Sequence, residues 1–297
     1  MDNSLIISES SISRRFSLKS IGTLSAASLF GSSCNSPEKN TQKKFATAFA
    51  LIGDRFHNSD YTRTALGKTL VRGTGLSIDF TDEVTLLSQE TLQHYRLLII
   101  FRDGMLWPEG YVGEYAGFVP GKNGEILSEP PFPKIEEKPV MWMTPEQGRV
   151  VKDFVESGGS ALFYHNSSHI SLSNKDYRDV EGAIYTGHPP VRPFWVRIVN
   201  KSHPITQGVN DFLVTDEQHY IKYEKSPDYV LMRSENRDGL SYTGSHGDQG
   251  TTCEAGWAYN NGKGKVCFLA PGHTIPALWN PEYVKLQQNA VKWLLGR

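Results

Sequence analysis

Cysteine is scarce in this chain: three residues in 297, with no pair in Cys-x-x-Cys spacing. That argues against a zinc site built from thiolates. No Gly-x-Gly-x-x-Gly run follows a predicted strand, and no phosphate loop of the Walker type occurs, which speaks against a nucleotide cofactor. Neither sign of charge dominates. Thirty-one Lys and Arg stand against 32 Asp and Glu, for a formal net charge of −1. With no basic stripe, the electrostatic footprint of a nucleic-acid binder is missing, and no nucleic-acid partner is expected. The mild apolar run Ile21 to Phe30 is too short for a permanent membrane helix.

That run has an informative setting. It follows Ser13-Arg14-Arg15-Phe16-Ser17-Leu18-Lys19, and a basic start before a short apolar stretch reads as a secretory signal. The paired arginines resemble the bacterial twin-arginine export signal, with Phe16 and Ser17 in swapped order. Cys34 after Gly31-Ser32-Ser33 resembles a bacterial lipoprotein cleavage site, although Gly31 stands where an apolar residue is usual. Residues 1–34 are therefore read as an export signal and 35–44 as a polar tether. The expected location is periplasmic, or membrane-attached through a lipid on Cys34.

Residues 45–297 carry the fold. Hydrophobic residues, 38% of the chain, suffice for one sizeable core. Phe45–Ile52, Leu76–Phe80, Leu97–Phe101 and Ala161–Tyr164 read as strands. Helices are predicted from an Asp60 cap through Val71, over roughly Glu83–His94, and from Thr144-Pro145-Glu146-Gln147 to Gly158-Gly159. This β-α-β-α alternation predicts an α/β fold with a parallel sheet covered on both faces. Further on, Phe194–Val199, Tyr229–Ser234, Glu254–Tyr259 and Lys265–Ala270 read as strands. Pro281–Leu295 reads as a closing amphipathic helix.

Asn260-Asn261-Gly262-Lys263-Gly264 signals a hairpin turn between the last two strands. Closed there, it sets Cys267 near Trp257 and leaves Cys253 about four residues along the strand, beyond disulfide reach. Two free, buried cysteines are predicted. Residues 102–143, rich in Gly, Pro and aromatics, form a long insertion. It is either a lid over a site, offering Trp107 and Trp142 to a ligand, or a surface segment packed on its own aromatics.

The chemistry concentrates in an ordered series of histidines. It runs His165-Asn-Ser-Ser-His169, Gly187-His188-Pro189, His203-Pro-Ile-Thr-Gln-Gly208, Asp216-Glu217-Gln-His219-Tyr220 and Pro271-Gly-His273. His165 and His273 end predicted strands, and ligands in open parallel sheets bind beyond the carboxyl ends of strands. Glu217 and His219 share a face if 215–221 is extended. Imidazoles with one carboxylate form a common divalent-metal set. His165, Glu217 and His273 are thus the expected metal or acid–base centre, with His219 a further catalytic candidate. His169, His188, Asp216 and Tyr220 are candidate substrate contacts. For Asp216 a cap or ion pair is the alternative, and for His188 a bond within its own loop. His203 reads as a turn-fixing residue; His57, His94 and His246 read as surface residues.

In order and spacing, these motifs with Gly262-Lys-Gly-Lys265 and Asn289-Ala-Val-Lys-Trp293 resemble the ThuA-like family, named for trehalose utilisation. The resemblance spans about residues 45–297. It implies a flavodoxin-like three-layer sandwich with a mostly parallel central sheet, related to class I glutamine amidotransferases. Where those enzymes place a cysteine nucleophile this chain has His165-Asn166-Ser167-Ser168, so amidotransferase chemistry is not expected. The resemblance also implies carbohydrate metabolism through 3-keto sugars. A carbohydrate substrate and a divalent metal such as zinc follow as expectations. The reaction is expected to be hydrolysis or elimination, and a non-catalytic sugar-binding role is the alternative.

Overall fold

Five consecutive buried residues in each of three strands set the architecture: Ala48–Ile52 (β1), Leu97–Phe101 (β3) and Ser160–Tyr164 (β6). A strand with no polar face must be covered on both sides. The computed structural model describes residues 45–111, 122–123, 136–244 and 246–297. The export signal, Cys34, the tether and most of the insertion lie outside them.

In chain order the elements are β1, α1 (Ser59–Leu66), β2 (Ile78–Thr81), α2 (Gln89–Leu92) and β3. There follow the two-residue strands β4 (Met105–Leu106) and β5 (Val140–Met141), α3 (Pro145–Glu156), β6, α4 (Lys175–Glu181), β7 (Ala183–Gly187), β8 (Arg192–Ile198) and β9 (Phe212–Asp216). The rest are β10 (Tyr220–Tyr223), β11 (Val230–Asn236), β12 (Thr243–Gly244), β13 (Gly247–Asp248), β14 (Thr252–Asn261), β15 (Gly264–Leu269), α5 (Ile275–Leu278) and α6 (Pro281–Leu295). Nine strands form one sheet in the order β2-β1-β3-β6-β15-β14-β11-β8-β9. The five from β2 to β15 are mutually parallel; the other four continue antiparallel. The fold is α/β as expected, with parallel strands at its core and an antiparallel extension. Helices α3 and α4 pack together, as do α1, α5 and α6, and both α3 and α6 pack on β6.

Local signals explain the elements that match. Thr144 and Gln147 form a reciprocal capping box at the start of α3. Gly262 takes the left-handed turn (φ 59°) that closes the β14–β15 hairpin. Cys267 pairs with Ala258, one residue from the expected partner, and Cys253 and Cys267 are free and buried. Helix α6 spans the predicted residues and buries Leu286, Ala290, Val291 and Leu294, leaving Val284 and Trp293 half-buried.

Other elements differ. Asn58 rather than Asp60 caps α1, because its side chain accepts from the Asp60 N–H. The helix then widens into a π-turn over Gly67–Arg72. The expected helix over 83–94 is split into a 3-10 turn, Val84–Leu86, and the short α2, because Ser88 recaps the chain at Thr91. No helix among the described residues is long and apolar enough to cross a membrane.

Candidate metal centre

The turn leaving β6 is the focal point. His165 has φ 48°, the one left-handed non-glycine residue among those described. Its imidazole is fully buried. Nδ1 lies 2.8 Å from the Ala270 carbonyl oxygen and can meet that acceptor only as N–H. This fixes the tautomer and leaves the Nε2 lone pair free. Nε2 stands 3.3 Å from Glu217 Oε2 and has no hydrogen-bond partner. Two facing acceptors call for a proton or a cation between them.

The loop after β1 supplies a residue the sequence reading had put on the surface. His57 is buried, at 3% exposure. Its Nδ1 meets Asp54 Oδ1 at 3.0 Å, and its Nε2 lies 3.0 Å from His273 Nδ1. Asp54 is saturated. Oδ1 also accepts the Phe56 and His57 backbone N–H groups, and Oδ2 accepts Asp103 N–H and Asn166 Nδ2. A carboxylate holding one imidazole nitrogen so that the other faces inward is a recurrent support for metal ligands. The available signal was position: Asp54 and His57 directly follow a buried parallel strand.

Asp216, which ends β9, holds the loop after β15 in place. Its oxygens accept the Gly272 and Thr274 N–H groups at 2.7 and 2.9 Å. This is the capping role its alternative reading allowed. Tyr61 donates to the His273 carbonyl oxygen at 2.7 Å. Gly272 is required by proximity, since a Cβ there would stand 2.5 Å from His165 Cβ. The segment 217–219 is not strand, yet Glu217 and His219 do meet: Glu217 Oε2 lies 3.4 Å from His219 Nε2 and 3.3 Å from His273 Nδ1.

One donor atom each from His57, His165, Glu217 and His273 lies within 4.8 Å of all the others. Four ligands about 2.0–2.1 Å from a tetrahedral ion stand about 3.3–3.4 Å apart. The contacts of 3.0, 3.3 and 3.3 Å within the set match that spacing. The His57 ring stands edge-on to both His165 and His273, with interplanar angles of 77° and 86°. This cluster can hold a metal ion. His188, Glu217 and His219 also lie close together, but the rings of His188 and His219 stack at 14°. Imidazole lone pairs lie in the ring plane, so stacked rings aim theirs along separate planes, and this trio is the poorer cage.

Electrostatics favour the ligand forms of His165, His219 and Glu217. Burial pushes His165 down to about 4, against the pull of Glu217, and drives His219 well below its usual value. A neutral imidazole is the form that binds metal. Burial would raise Glu217, but the imidazoles of His165, His219 and His273 outweigh it and hold the carboxylate ionised. His273 is raised by its contact with Glu217, against burial. Burial alone would lift Asp54 too; the bonds from His57, Asp103 and Phe56 bring it to about 2.

The cluster opens on a cavity of about 370 Å³, lined also by Asp103, Asn166, His169, Tyr185, His188 and His219. His169 Nδ1 lies 3.3 Å from Asp103 Oδ1. His188 both bonds its own loop, through Pro189 O at 2.9 Å, and reaches the site, its Nε2 3.7 Å from Glu217. The remaining candidates are used elsewhere. Tyr220 is buried with its hydroxyl on Gly250 O. Trp142 is buried with its indole N–H on Asp103 O at 2.8 Å, so the ring is spent on packing instead of lining the cavity. Trp107 lines a neighbouring cavity. His203 fixes a turn, its Nδ1 accepting from Ile205 N–H; His94 and His246 are exposed. A cavity of about 400 Å³ between Arg96, Phe154 and Leu294 lies at the opposite ends of β3 and β6 and contains no histidine.

An α/β sheet with a histidine–carboxylate cage at the carboxyl ends of its strands is the class these features define. The model of the ThuA family, described as trehalose utilisation, matches residues 135–294, and the chain belongs to that family. The matched span excludes Asp54 and His57. The fold is similar to that of a ThuA-like protein from Bacteroides uniformis, at TM-score 0.57 and 15% identity, covering 84% of this chain and 91% of that one. It is also similar to a ThuA-like protein from Parabacteroides merdae, at TM-score 0.56 and 13% identity, covering 84% and 89%. No curated protein matches the chain.

Proposed function

We propose that the chain is a metal-assisted, sugar-processing enzyme that cleaves keto-glycosides or disaccharides by elimination or hydrolysis. The observation that carries this reading is the convergence of His57, His165, Glu217 and His273, whose donor atoms lie within 4.8 Å of one another with three contacts of 3.0 to 3.3 Å, beside a cavity of about 370 Å³. Membership of a family described by trehalose utilisation supports the substrate class. A divalent cation such as zinc, when bound, supplies Lewis acidity toward a ketone or hydroxyl oxygen.

The chain's own residues supply the proton transfers. A ketone acidifies the C–H beside it. His169 lines the cavity with Asp103 behind its Nδ1, an arrangement suited to taking that proton and stabilising the resulting imidazolium. As the C–H bond breaks, a carbon–carbon double bond forms and the glycosidic C–O bond breaks. The leaving oxygen takes a proton from an imidazole across the cavity, for which His188 is the candidate. Addition of water to the double bond completes a net hydrolysis. The export signal read over residues 1–34 would direct this activity to sugars outside the cytoplasm.

The test combines metal analysis with turnover. Purified protein should carry about one equivalent of divalent metal and release sugar from a 3-keto-disaccharide faster than from the parent disaccharide. His165→Ala should lose both metal and turnover. Sugar binding without turnover in metal-loaded protein would favour the non-catalytic reading.

A further inference from the structure

A second cavity, of about 320 Å³, adjoins the metal-binding one. The two share Met105 and are lined by successive residues of the same loops, Asp54–Arg55 against Phe56–His57 and Arg102 against Asp103. We propose that this second cavity is a subsite for a neutral polyhydroxylated ring, the second ring of a disaccharide whose first ring occupies the metal-binding cavity. The assignment of a sugar rests on the functional reading above; the cavity's preference for a neutral ligand rests on its own charge balance.

Its two cations are already matched. Arg55 pairs with Glu137, its guanidinium also facing the Trp107 ring at 5.1 Å and the Tyr111 ring at 4.6 Å. Arg102, only 2% exposed, donates through Nη1 to Asp82 O at 2.8 Å and lies in the field of the Asp54, Asp103 and Asp82 carboxylates. No surplus positive charge is left to attract a phosphate or carboxylate. What remains is a mixture of donor and acceptor capacity. Ser59 and the exposed Asp82 line the cavity. The Ser59 hydroxyl can donate or accept, and the Asp82 carboxylate can accept from ligand hydroxyls. Trp107 and Tyr111 add ring surface for the apolar face of a sugar. A few convergent polar groups beside aromatic walls is the usual make-up of a small-molecule site.

The experiment is direct binding of trehalose, maltose, cellobiose, glucose and glucose 6-phosphate to the full chain, by calorimetry and tryptophan fluorescence. At least one disaccharide should bind tenfold or more tightly than glucose, and the phosphate should give no advantage. Trp107→Ala and, independently, the exposed-site variant Asp82→Ala should each erase the disaccharide advantage while glucose binding stays within twofold. Absence of saturable binding by any of these sugars overturns the proposal, as does an unchanged preference in both subsite variants or a preference for glucose 6-phosphate. Disaccharide preference that depends on Trp107 but comes without metal or turnover would uphold the subsite and sink the catalytic reading alone.

Discussion

Asp54→Asn isolates the support behind the metal cage without touching a ligand. Asp54 accepts from five donors, with the His57 Nδ1–H shared between Oδ1 and Oδ2 at 3.0 and 3.3 Å. Asparagine retains one oxygen. Keeping it on the His57 side turns an amide NH₂ toward Asp103 N–H and Asn166 Nδ2, so donors face donors. Loss of a buried acceptor costs about 1–3 kcal/mol for each group left unpaired, and some relaxation is available, so a stability loss of about 2–4 kcal/mol is expected. The flipped arrangement instead releases His57 Nδ1 and its tautomer. In either case the carboxylate charge behind the imidazole is gone, which typically lowers metal affinity 10–100-fold, or about 1.4–2.7 kcal/mol. Competition for Zn²⁺ against a chromophoric chelator measures the affinity, and urea denaturation of the metal-free protein measures the stability. A Zn²⁺ affinity within twofold of wild type in a folded variant would refute the assignment of His57 as a ligand.

Two further predictions follow from close packing and from a buried charge. Gly272→Ala brings a methyl group to 2.5 Å from His165 Cβ and 3.0 Å from the Phe101 ring; it should destabilise by about 1–3 kcal/mol and weaken Zn²⁺ binding, and wild-type values on both counts would contradict the described contact. Glu181 is fully buried with neither carboxylate oxygen bonded, and burial raises its pKa well above the usual carboxylate range. The unfolded chain therefore loses this proton before the folded one does, and stability falls as pH rises above the unfolded value, by up to about 1.4 kcal/mol per pH unit. Glu181→Gln removes that dependence, so the variant should gain more over wild type in urea midpoint at pH 8 than at pH 5. An equal gain at both would show that the group is not held protonated.

How much was legible in the sequence depended on the range of the interaction. The strand Leu97–Phe101, the capping box at Thr144 and the closing helix Pro281–Leu295 are announced by their own residues, and all three form as read. Strand β9 alternates buried and partly exposed residues over only five positions, too short a pattern to stand out. His165 and His273 were found because strand ends can be located from apolar runs, and Glu217 because it lies two residues from His219 and would share its face in an extended segment. His57 was not, because its neighbours Arg55 and Asn58 are polar and its burial comes from Asp54 bonding to Asp103 and Asn166, far along the chain. Aromatic residues misled in the other direction. Nothing local distinguishes Trp142, whose indole N–H ends on Asp103 O, from Trp107, which lines a cavity.

The backbone at His165 yields the last prediction. A left-handed conformation costs a residue with a Cβ roughly 1–2 kcal/mol, and the chain bears that cost at one described non-glycine position, where it swings an imidazole from the end of β6 against Glu217. If the conformation is imposed by the surrounding sheet, it persists when the imidazole is removed. His165→Gly and His165→Ala then lose the same ligand but differ in strain. Glycine relieves the left-handed penalty and loses roughly 0.5–1 kcal/mol of that to its more flexible unfolded chain, leaving it about 0.5–1 kcal/mol more stable than alanine. Urea denaturation of the two metal-free variants gives the comparison, and chelator competition should find both equally weakened for Zn²⁺. An alanine variant as stable as the glycine one would mean that the turn relaxes once the ring is gone. The strain would then belong to the contacts of His165 with Ala270 and Glu217, and the sheet would no longer account for the placement of the ligand.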